Sequence, residues 1–472
     1  MSAENAAGEP AAKQSGTLSL EGLNSTVPLP PESASFWRQY RAFVGPAFLV
    51  SVGYMDPGNW GTDLAAGASY RFDLLWIVAL SSFMAIIMQV CSARLGIVTG
   101  KDLAQACRDY LPGWTRWPNW LACEIAIGAC DLAEVLGSAV ALNLLFGIPL
   151  FWAVLITAFD VLLILALQGF GMRFIEALIA TLVATIAGCY FIEIFVLPQT
   201  TPSFLEMGSA LLTPGFRREG MIVGAIGIIG ATVMPHNLYL HSALVRTRQI
   251  GTDESTIRRA IKFNTIDTVA ALSLAFFVNA AILVLAATTF YGREGATLAS
   301  GEVVVFGEDA DWIRVAYLTL APLLGATAAS TLFAVALLAS GQSSTITGTL
   351  AGQVVMEGFM RWRVRPWVRR IITRSIAIVP AVVIIGVRGE ASSVTDLLVL
   401  SQVVLAMQLP LAMFPLLYFT SSKRLMGRFR NGWFLLSFGW GSCLLITALD
   451  FYGLPDTIEK AWKVIEGKPD EK

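Results

Sequence analysis

Two short polar segments, set in otherwise apolar surroundings, carry residue types that bind cations. The first reads DPGN at residues 56–59, the second reads MPHN at residues 234–237, and both have the form x-Pro-x-Asn. A proline inside a helix lacks an N–H and clashes with the preceding turn, so carbonyl oxygens just before Pro57 and Pro235 lose their helical partners. At membrane depth such groups are tolerated only where they line a cavity or meet a ligand. The two segments therefore predict a pair of interrupted helices, broken by Pro57, Gly58, Pro235 and Asn237.

The side chains at these breaks add a carboxylate, an amide and a thioether to the carbonyl oxygens, from Asp56, Asn59 and Met234. Oxygen ligands alone suit Mg²⁺, Ca²⁺ or Na⁺, whereas the thioether of Met234 is a soft ligand that favours transition metals. One proline kink usually only bends a membrane helix, but here two matching motifs occur. A carboxylate at bilayer depth costs about 2.5–3.5 kcal/mol on insertion scales, so Asp56 should have a function. The residues thus predict a site for a divalent ion such as Mn²⁺ or Fe²⁺.

Apolar segments long enough to cross a bilayer surround these residues. The chain has 472 residues, of which 55% are apolar and 14% charged, against about 25% charged residues in soluble domains. A helical span needs about 20 apolar residues. The net charge of −1 gives no sign of a nucleic-acid partner, and the six cysteines contain no C-x-x-C pair that would indicate zinc or a disulfide framework. We predict eleven spans, at residues 43–69, 73–96, 119–145, 149–168, 174–197, 221–245, 265–290, 315–347, 371–388, 394–419 and 432–452.

The distribution of Lys and Arg predicts how the spans are oriented. Basic residues collect in the connections after spans two, six, eight and ten, whereas loop 291–311 carries five acidic residues. Basic loops stay in the cytoplasm, so the N-terminus is predicted inside and the C-terminus outside the cytoplasmic membrane.

The two motifs occupy corresponding places in two five-span blocks of opposite topology. Spans one to five begin in the cytoplasm, and spans six to ten begin outside. Paired broken helices in inverted repeats indicate a secondary transporter with its site near the bilayer midplane. The predicted organisation is a disordered cytoplasmic tail (1–36), a first inverted repeat (37–200), a second inverted repeat (215–420), an eleventh helix (430–455) and an extracytoplasmic tail (456–472).

Span three carries three carboxylates, Glu124, Asp131 and Glu134, which a 3.6-residue period brings close to one face. Intramembrane carboxylates on one face form either proton relays or structural ion pairs. His236, beside the second break, and Arg374, near the start of span nine, are candidate partners. The sequence is compatible with two functions of these residues, a proton relay and a buried charge network that holds helices together. His241 is expected to serve packing or to act at the helix end, and no role is assigned to Asp160, Glu176, Glu193 and Asp267.

DPGN and MPHN, together with CDLAEVLGSAVALNLLFGIPL at 130–150 and SQVVLAMQLPLAMFPL at 401–416, resemble the Nramp family of proton-coupled divalent metal transporters, in its bacterial MntH-like branch. The resemblance extends over all eleven spans and leaves out the N-terminal tail. It implies an all-α LeuT-type fold with two inverted five-helix repeats, one extra helix, and discontinuous helices 1 and 6. It also implies import of Mn²⁺ and Fe²⁺, and of Cd²⁺ or Co²⁺, with protons by alternating access.

The resemblance implies roles for particular residues. The metal ligands would be Asp56, Asn59, Met234 and the carbonyl oxygen of Ala231, joined in other conformational states by the Gly53 carbonyl and by Gln402. The proton path would lead from Asp56 through His236 to Asp131 and Glu134. The magnesium- and aluminium-transporting branches lack the methionine, so Met234 argues against both.

Three other functions were compared with metal import. A LeuT-type symporter of a small organic solute, such as an amino acid, would need an uncharged glycine-rich gap at the break, whereas Asp56 stands there. A membrane enzyme is disfavoured because the sequence shows no nucleophile–base pair or phosphate loop. A metal sensor would leave the inverted repeat unexplained. We therefore predict a transporter that is no enzyme, needs no cofactor, takes a metal ion and a proton as substrates, and works as a monomer in the lipid bilayer.

Overall fold

The structure is a computed structural model that describes residues 20, 24–159, 172–192, 194, 202–218, 220–298, 303–306, 312–324, 328–362, 364–388 and 393–466. Within these ranges eight helices are long and apolar enough to cross a membrane, and three shorter apolar helices accompany them. Each of the eleven predicted spans overlaps one of these helices. The number that crosses a bilayer stays a prediction.

In chain order the α-helices are α1 Phe36–Phe43, α2 Pro46–Ser51, α3 Pro57–Tyr70, α4 Leu75–Thr99, α5 Leu103–Tyr110, α6 Arg116–Phe146, α7 Leu150–Ile156, α8 Met172–Phe191, α9 Phe204–Leu212, α10 Met221–Thr232, α11 Pro235–Leu244, α12 Glu254–Thr289, α13 Trp312–Leu324, α14 Ala328–Met360, α15 Pro366–Arg388, α16 Ser393–Ser421, α17 Lys423–Met426 and α18 Trp433–Glu466. A short antiparallel hairpin, β1 Gly295–Thr297 and β2 Val303–Val305, lies between α12 and α13. The sequence pattern had indicated helices alone.

The first and sixth spans are both interrupted at their prolines. The first consists of α2, a 3₁₀ turn at Val52–Met55 and α3, with Asp56 extended between the last two. The sixth consists of α10 and α11, with Val233 and Met234 extended between them. In each case the proline is the first residue of the second half-helix, where its missing N–H costs no hydrogen bond.

Helix α14 packs against α6 through small residues. An added Cβ at Gly341 would collide with the Ser138 hydroxyl, and one at Gly348 would lie 3.1 Å from a carboxylate oxygen of Glu134. Small residues let membrane helices approach closely.

The predicted eighth span, 315–347, was wrong at both ends. Its first part is the separate helix α13, and the Gly/Ser/Thr-rich stretch 341–352 lies inside α14, where it forms this contact.

The junction between α1 and α2 is held by charged side chains from distant helices. Arg248 donates to the carbonyl oxygens of Ala42 and Val44, and its guanidinium lies 2.7 Å from Glu176. Asp267 accepts from the backbone N–H groups of Gly45 and Ala47, at 3.2 and 3.0 Å. Unsatisfied carbonyls at the end of α1 thus meet a cation, and unsatisfied amides at the start of α2 meet a carboxylate, as helix ends require. Two residues without a predicted role, Glu176 and Asp267, belong to this junction.

The structure differs from the predicted tails in its described parts. Residues 24–35 were expected to be disordered, but the N–H of Val27 donates to Thr247 and its carbonyl accepts from Gln249. Burial of the Val27 side chain accompanies this pairing. At the other end α18 continues to Glu466, so residues 456–466 of the predicted extracytoplasmic tail are helical, and their side of the membrane stays a prediction. The end of predicted span four (160–168), with Asp160, and also Glu193 lie outside the described residues.

Candidate metal-binding and proton-transfer site

Asp56 caps the start of α3, the second half of the first interrupted span. Its carboxylate oxygen Oδ1 accepts from the backbone N–H and from the side-chain Nδ2 of Asn59, both at 2.8 Å. Asp is a preferred N-cap residue because it satisfies such free N–H groups. Both side chains are fully buried, and Oδ2 of Asp56 has no hydrogen-bond partner within the described residues. One carboxylate oxygen therefore fixes the helix end, and the other remains available to a ligand.

Asn59 also reaches the second break. Its Nδ2 donates to the carbonyl oxygen of Ala231 at 3.2 Å. Two predicted oxygen ligands, the Asp56 carboxylate and the Ala231 carbonyl, thus converge on one amide group with partial positive charge. A cation in this position would meet the same oxygens, and Asn59 would then turn its own Oδ1 toward the ion.

Met234 is buried at the second break, where its sulfur lies 3.7 Å from Nδ2 of Asn237. Asn237 in turn contacts the first break, because a Cβ added to Gly53 would collide with its amide. Gly53 therefore provides the space in which the two interrupted helices meet. The predicted residues Gly53, Met234 and Asn237 form one contact group.

Gln402 lies between the two breaks. A Cβ added to Gly58 would collide with its side-chain amide, and a Cβ added to Gly230 would lie 3.0 Å from its carbonyl oxygen. Its Nε2 donates to Ser401 at 3.0 Å, while Oε1 is buried without a hydrogen-bond partner among the described residues. Gln402 thus offers a free carbonyl-type oxygen close to both predicted ligand segments.

Two carbonyl oxygens released by the first break are satisfied by other helices. The carbonyl of Tyr54 accepts from Asn279 at 2.9 Å, and that of Met55 accepts from Trp60 and Ser340 at 3.1 and 2.5 Å. These bonds account for groups that would otherwise be costly inside a membrane. They also hold the broken backbone in place from α12 and α14.

The predicted proton-path residues lie at the start of α3 and on α6, α11 and α15. His236 is buried, and its Nε2 lies 3.8 Å from the sulfur of Cys130, which in turn lies 3.6 Å from Oε1 of Glu134. The hydroxyl of Ser344 donates to the same carboxylate oxygen at 2.8 Å. Arg374 approaches the other oxygen of Glu134 at 3.9 Å. The sequence did not indicate that Cys130 stands between His236 and Glu134.

The remaining carboxylates of α6 are also buried or paired. Glu124 forms an ion pair with Arg369 of α15 at 2.7 Å, a partner that the sequence pattern did not suggest. Asp131 is buried, and a Cβ added to Gly348 would lie 3.8 Å from its Oδ1. Arg369 and Arg374 of α15 thus face α6. This arrangement suits a charge network as well as a proton relay.

Sequence reasoning missed a buried carboxylate near the breaks and the hydrogen-bond partners of His241. Asp63 is buried on α3, seven residues after Asp56, and its Oδ2 has no hydrogen-bond partner in the described part of the chain. The seven-residue spacing, two helical turns, was the available signal. His241, expected to serve packing, donates from Nδ1 to Gln89 at 2.9 Å, and Gln89 donates to the Tyr54 hydroxyl at 2.6 Å. This chain connects spans six, two and one.

The described residues contain no group of three or more His, Cys, Asp and Glu side chains placed to hold a metal ion. The predicted donor set contributes only one such side chain, Asp56, and otherwise consists of an amide, a thioether and a carbonyl. A donor set of this kind suits an ion that must be released again better than a permanently bound structural metal.

Comparison with known proteins defines the class. Residues 47–455 match the family described as Nramp, natural resistance-associated macrophage protein-like. This match covers most of the chain, and the chain belongs to the Nramp family, a family of membrane transporters and not of enzymes.

Three similar proteins are metal transporters. The chain is 51% identical to the divalent metal cation transporter MntH of Nostoc sp. over 425 residues, which cover 89% of this chain and 92% of the relative. It is 49% identical to MntH of Bradyrhizobium diazoefficiens over 442 residues, covering 94% and 95%. A crystal structure of a mutant manganese transporter from Eremococcus coleocola is similar with a TM-score of 0.85 at 38% identity, covering 94% of this chain and 92% of that one.

The predicted fold class and family are confirmed. The chain also resembles Mhp1, a nucleobase-cation-symport-1 family transporter, with a TM-score of 0.53 at 14% identity, which shows a shared fold alone. The helical, LeuT-type architecture expected from the two broken helices is therefore present. The alternative of an organic-solute symporter is wrong, because the family imports divalent metal ions.

Proposed function

We propose that this protein imports Mn²⁺ and Fe²⁺ into the cell together with protons, with the ion held between the two helix breaks. The observation that carries this proposal is the contact of the Asn59 amide with both the Asp56 carboxylate and the Ala231 carbonyl. Oxygen ligands from two interrupted helices meet at one point. The proposed ligands are Asp56, Asn59, Met234 and the Ala231 carbonyl, with Gly53 and Gln402 contributing in other states.

The thioether supports transition metals as the substrates. Met234 is buried at the second break beside the amide of Asn237. A soft sulfur ligand adds little to the binding of hard ions such as Ca²⁺ and Mg²⁺ and more to that of Mn²⁺, Fe²⁺ or Cd²⁺. The related MntH transporters and the manganese transporter of similar structure agree with this choice.

Proton coupling follows from the charge at the site. A divalent ion beside Asp56 stabilises its ionised carboxylate and so expels a proton from it. The proposed route passes His236 and Cys130 and reaches Glu134, whose carboxylate is held by Ser344. Asp131 and Glu124 lie on the same helix as Glu134; Arg369 pairs with Glu124 and Arg374 approaches Glu134, and these cations would balance the charge of the carboxylates as the proton moves on.

The proposed membrane arrangement is a cytoplasmic N-terminus, an extracytoplasmic C-terminus and two inverted repeats at 37–200 and 215–420. The junction of α1 and α2, closed by Arg248, Glu176 and Asp267, would then lie on the cytoplasmic side. We further propose a monomer as the working unit, since all candidate ligands come from one chain.

Uptake by purified protein in liposomes, with a pH-sensitive dye inside, tests this function. Mn²⁺ supplied outside should enter in a saturable manner and acidify the interior, and Fe²⁺ or Cd²⁺ should compete with it. Liposomes without protein are the control. Absence of metal uptake would contradict the proposal, and metal uptake without acidification would contradict its proton coupling.

A further inference from the structure

A groove of about 750 Å³ lies outside the candidate metal site, between α1 and the first turns of α12. Its apolar wall is formed by Phe36 and Phe263, whose rings lie 5.4 Å apart. Its polar wall carries Arg258, Arg259 and Lys262. Aromatic and basic side chains thus face the same space.

Two of the three cations have no carboxylate partner among the residues that the structure describes. Arg258 pairs with Glu254 at 2.8 Å, and the same carboxylate lies 3.2 Å from Arg428. Arg259 and Lys262, by contrast, form no ion pair with any described residue. Arg259 donates to the carbonyl oxygen of Pro30 at 3.4 Å, and its Nε is buried without an acceptor within the described chain. Arg259, a half-buried residue that lines the groove, therefore has a positively charged N–H donor without an acceptor among the described residues.

Glu32, an exposed carboxylate at the rim of the groove, forms no ion pair with any described residue. The positive charges of Arg259 and Lys262 outnumber its single negative charge, so the net charge of the groove is positive. Buried donors that lack an acceptor cost free energy, which a bound anion would relieve.

The exposed aromatic side chains of α1 indicate which kind of anion lies next to the groove. Trp37 and Phe36 are 70% and 47% exposed, whereas Ala42 and Phe43 on the same helix are buried. A short helix with one packed face and exposed aromatic side chains suits the membrane–water interface, where Trp is enriched. On the proposed orientation this interface belongs to the cytoplasmic leaflet, which carries anionic lipids.

We propose that this groove binds the phosphate-bearing headgroup of an anionic phospholipid from the cytoplasmic leaflet. The Arg259 guanidinium offers parallel N–H donors that match phosphate oxygens, and Lys262 adds a second positive charge. The acyl chains would follow the exposed aromatic side of Phe36 and Trp37. The inference rests on the proposed orientation and is independent of the metal ligands.

Lipid binding by the full chain tests it. Protein purified in neutral detergent is titrated with phosphatidylglycerol and with phosphatidylcholine, and bound lipid is counted by native mass spectrometry. Phosphatidylglycerol should bind in preference, and Arg259→Gln/Lys262→Gln should weaken its binding roughly tenfold or more, since each basic residue near an anionic surface contributes about 1 kcal/mol. The matched control, Lys423→Gln/Arg424→Gln, removes two exposed charges outside the groove and should bind as the native chain does.

Several outcomes would overturn the inference. They are equal retention of both lipids, phosphatidylglycerol binding that the double variant leaves unchanged, and displacement of the lipid by millimolar inorganic phosphate, which would assign the groove to a soluble anion. If the double variant does not fold, the exposed single change Lys262→Gln still reports on the same charge. Mn²⁺ titration of each variant separates this inference from the proposed function. A variant that binds Mn²⁺ as the native chain does but has lost lipid binding supports the groove as the lipid site. A failure of Mn²⁺ binding in the native chain would count against the proposed function and leave the lipid result unchanged.

Discussion

The side-chain amide nitrogen of Asn59 lies 3.2 Å from the backbone carbonyl oxygen of Ala231, 172 residues further along the chain. This hydrogen bond joins α3, the second half of the first interrupted span, to α10, the first half of the sixth span. It crosses from one break to the other at the point where Asp56 also contacts the amide. A cation that replaces the amide N–H groups there would be bound by both halves of the transporter at once.

Asp56→Asn should abolish Mn²⁺ uptake and weaken Mn²⁺ binding by more than about 100-fold. Loss of an outer-shell partner alone costs 10–100-fold in metal affinity, and here the single charged ligand is removed. Asn is as good an N-cap as Asp, so the start of α3 should be preserved. Isothermal titration calorimetry with Mn²⁺ measures the effect.

The control for this change is Asp253→Asn. Asp253 also caps a helix, α12, by accepting from the N–H of Thr256 at 2.8 Å, but it is exposed and far along the chain from either break. Its variant should bind Mn²⁺ normally. Near-native binding by Asp56→Asn would remove the ion from this helix break.

Gly53→Ala should reduce Mn²⁺ uptake strongly while leaving the protein folded. The new methyl group would collide with the amide of Asn237, which must then leave the sulfur of Met234. Gly61→Ala is the matched control, because an added Cβ there lies 3.9 Å from Leu398, an ordinary contact distance. Uptake into proteoliposomes compares the two. Equal activity of both variants would show that the contact between the breaks does not matter for transport.

Glu134→Gln should reduce metal-driven acidification more than metal flux. The carboxylate is contacted by Cys130, Ser344 and Arg374, and its replacement by an amide removes the group that exchanges a proton. Simultaneous measurement of Mn²⁺ entry and internal pH gives the ratio of the two fluxes. Glu206→Gln, which removes an exposed carboxylate paired with Arg71, is the control. Equal loss of both fluxes in Glu134→Gln would favour a structural ion pair.

Asp63→Asn should lower Mn²⁺ affinity several-fold, by less than the change at Asp56. A divalent ion at the site would favour ionisation of this buried carboxyl group, which lies two turns along α3, and its negative charge would then attract the ion through a medium of low dielectric constant. Titration with Mn²⁺ at two ionic strengths measures the effect, which should persist at high salt because buried charges are poorly screened. An affinity identical to that of the native protein would show that Asp63 is electrically irrelevant to the ion.

Local chemistry made the helix breaks predictable from sequence. Pro57 and Pro235 lack an N–H and favour the first turn of a helix over its interior, and Asp56 has the side chain that caps a new helix start. Their effects depend on neighbouring residues only, so the interruption at 56 and at 234 could be located without knowledge of the packing.

The partners across helices could not be predicted in the same way. The contact of Cys130 with His236 and the ion pair of Glu124 with Arg369 depend on how α6 is rotated against α11 and α15. Helix rotation is fixed by the sum of many small packing contacts, such as Gly341 against Ser138, rather than by one motif. The same reason explains why residues 341–352 were placed at the end of a span although they lie inside α14.

The central claim is that a thioether at the meeting point of two helix breaks selects a soft divalent ion. The metal-ion selectivity of the Met234→Ala variant tests this claim most directly. Uptake of Mn²⁺ or Cd²⁺ into proteoliposomes is measured against increasing Ca²⁺, with Met413→Ala, which truncates another buried methionine, as the control for the cavity that either change creates. We predict that Ca²⁺ competes effectively in Met234→Ala and remains a poor competitor in the native protein and in Met413→Ala. Unchanged discrimination against Ca²⁺ in Met234→Ala would contradict the account.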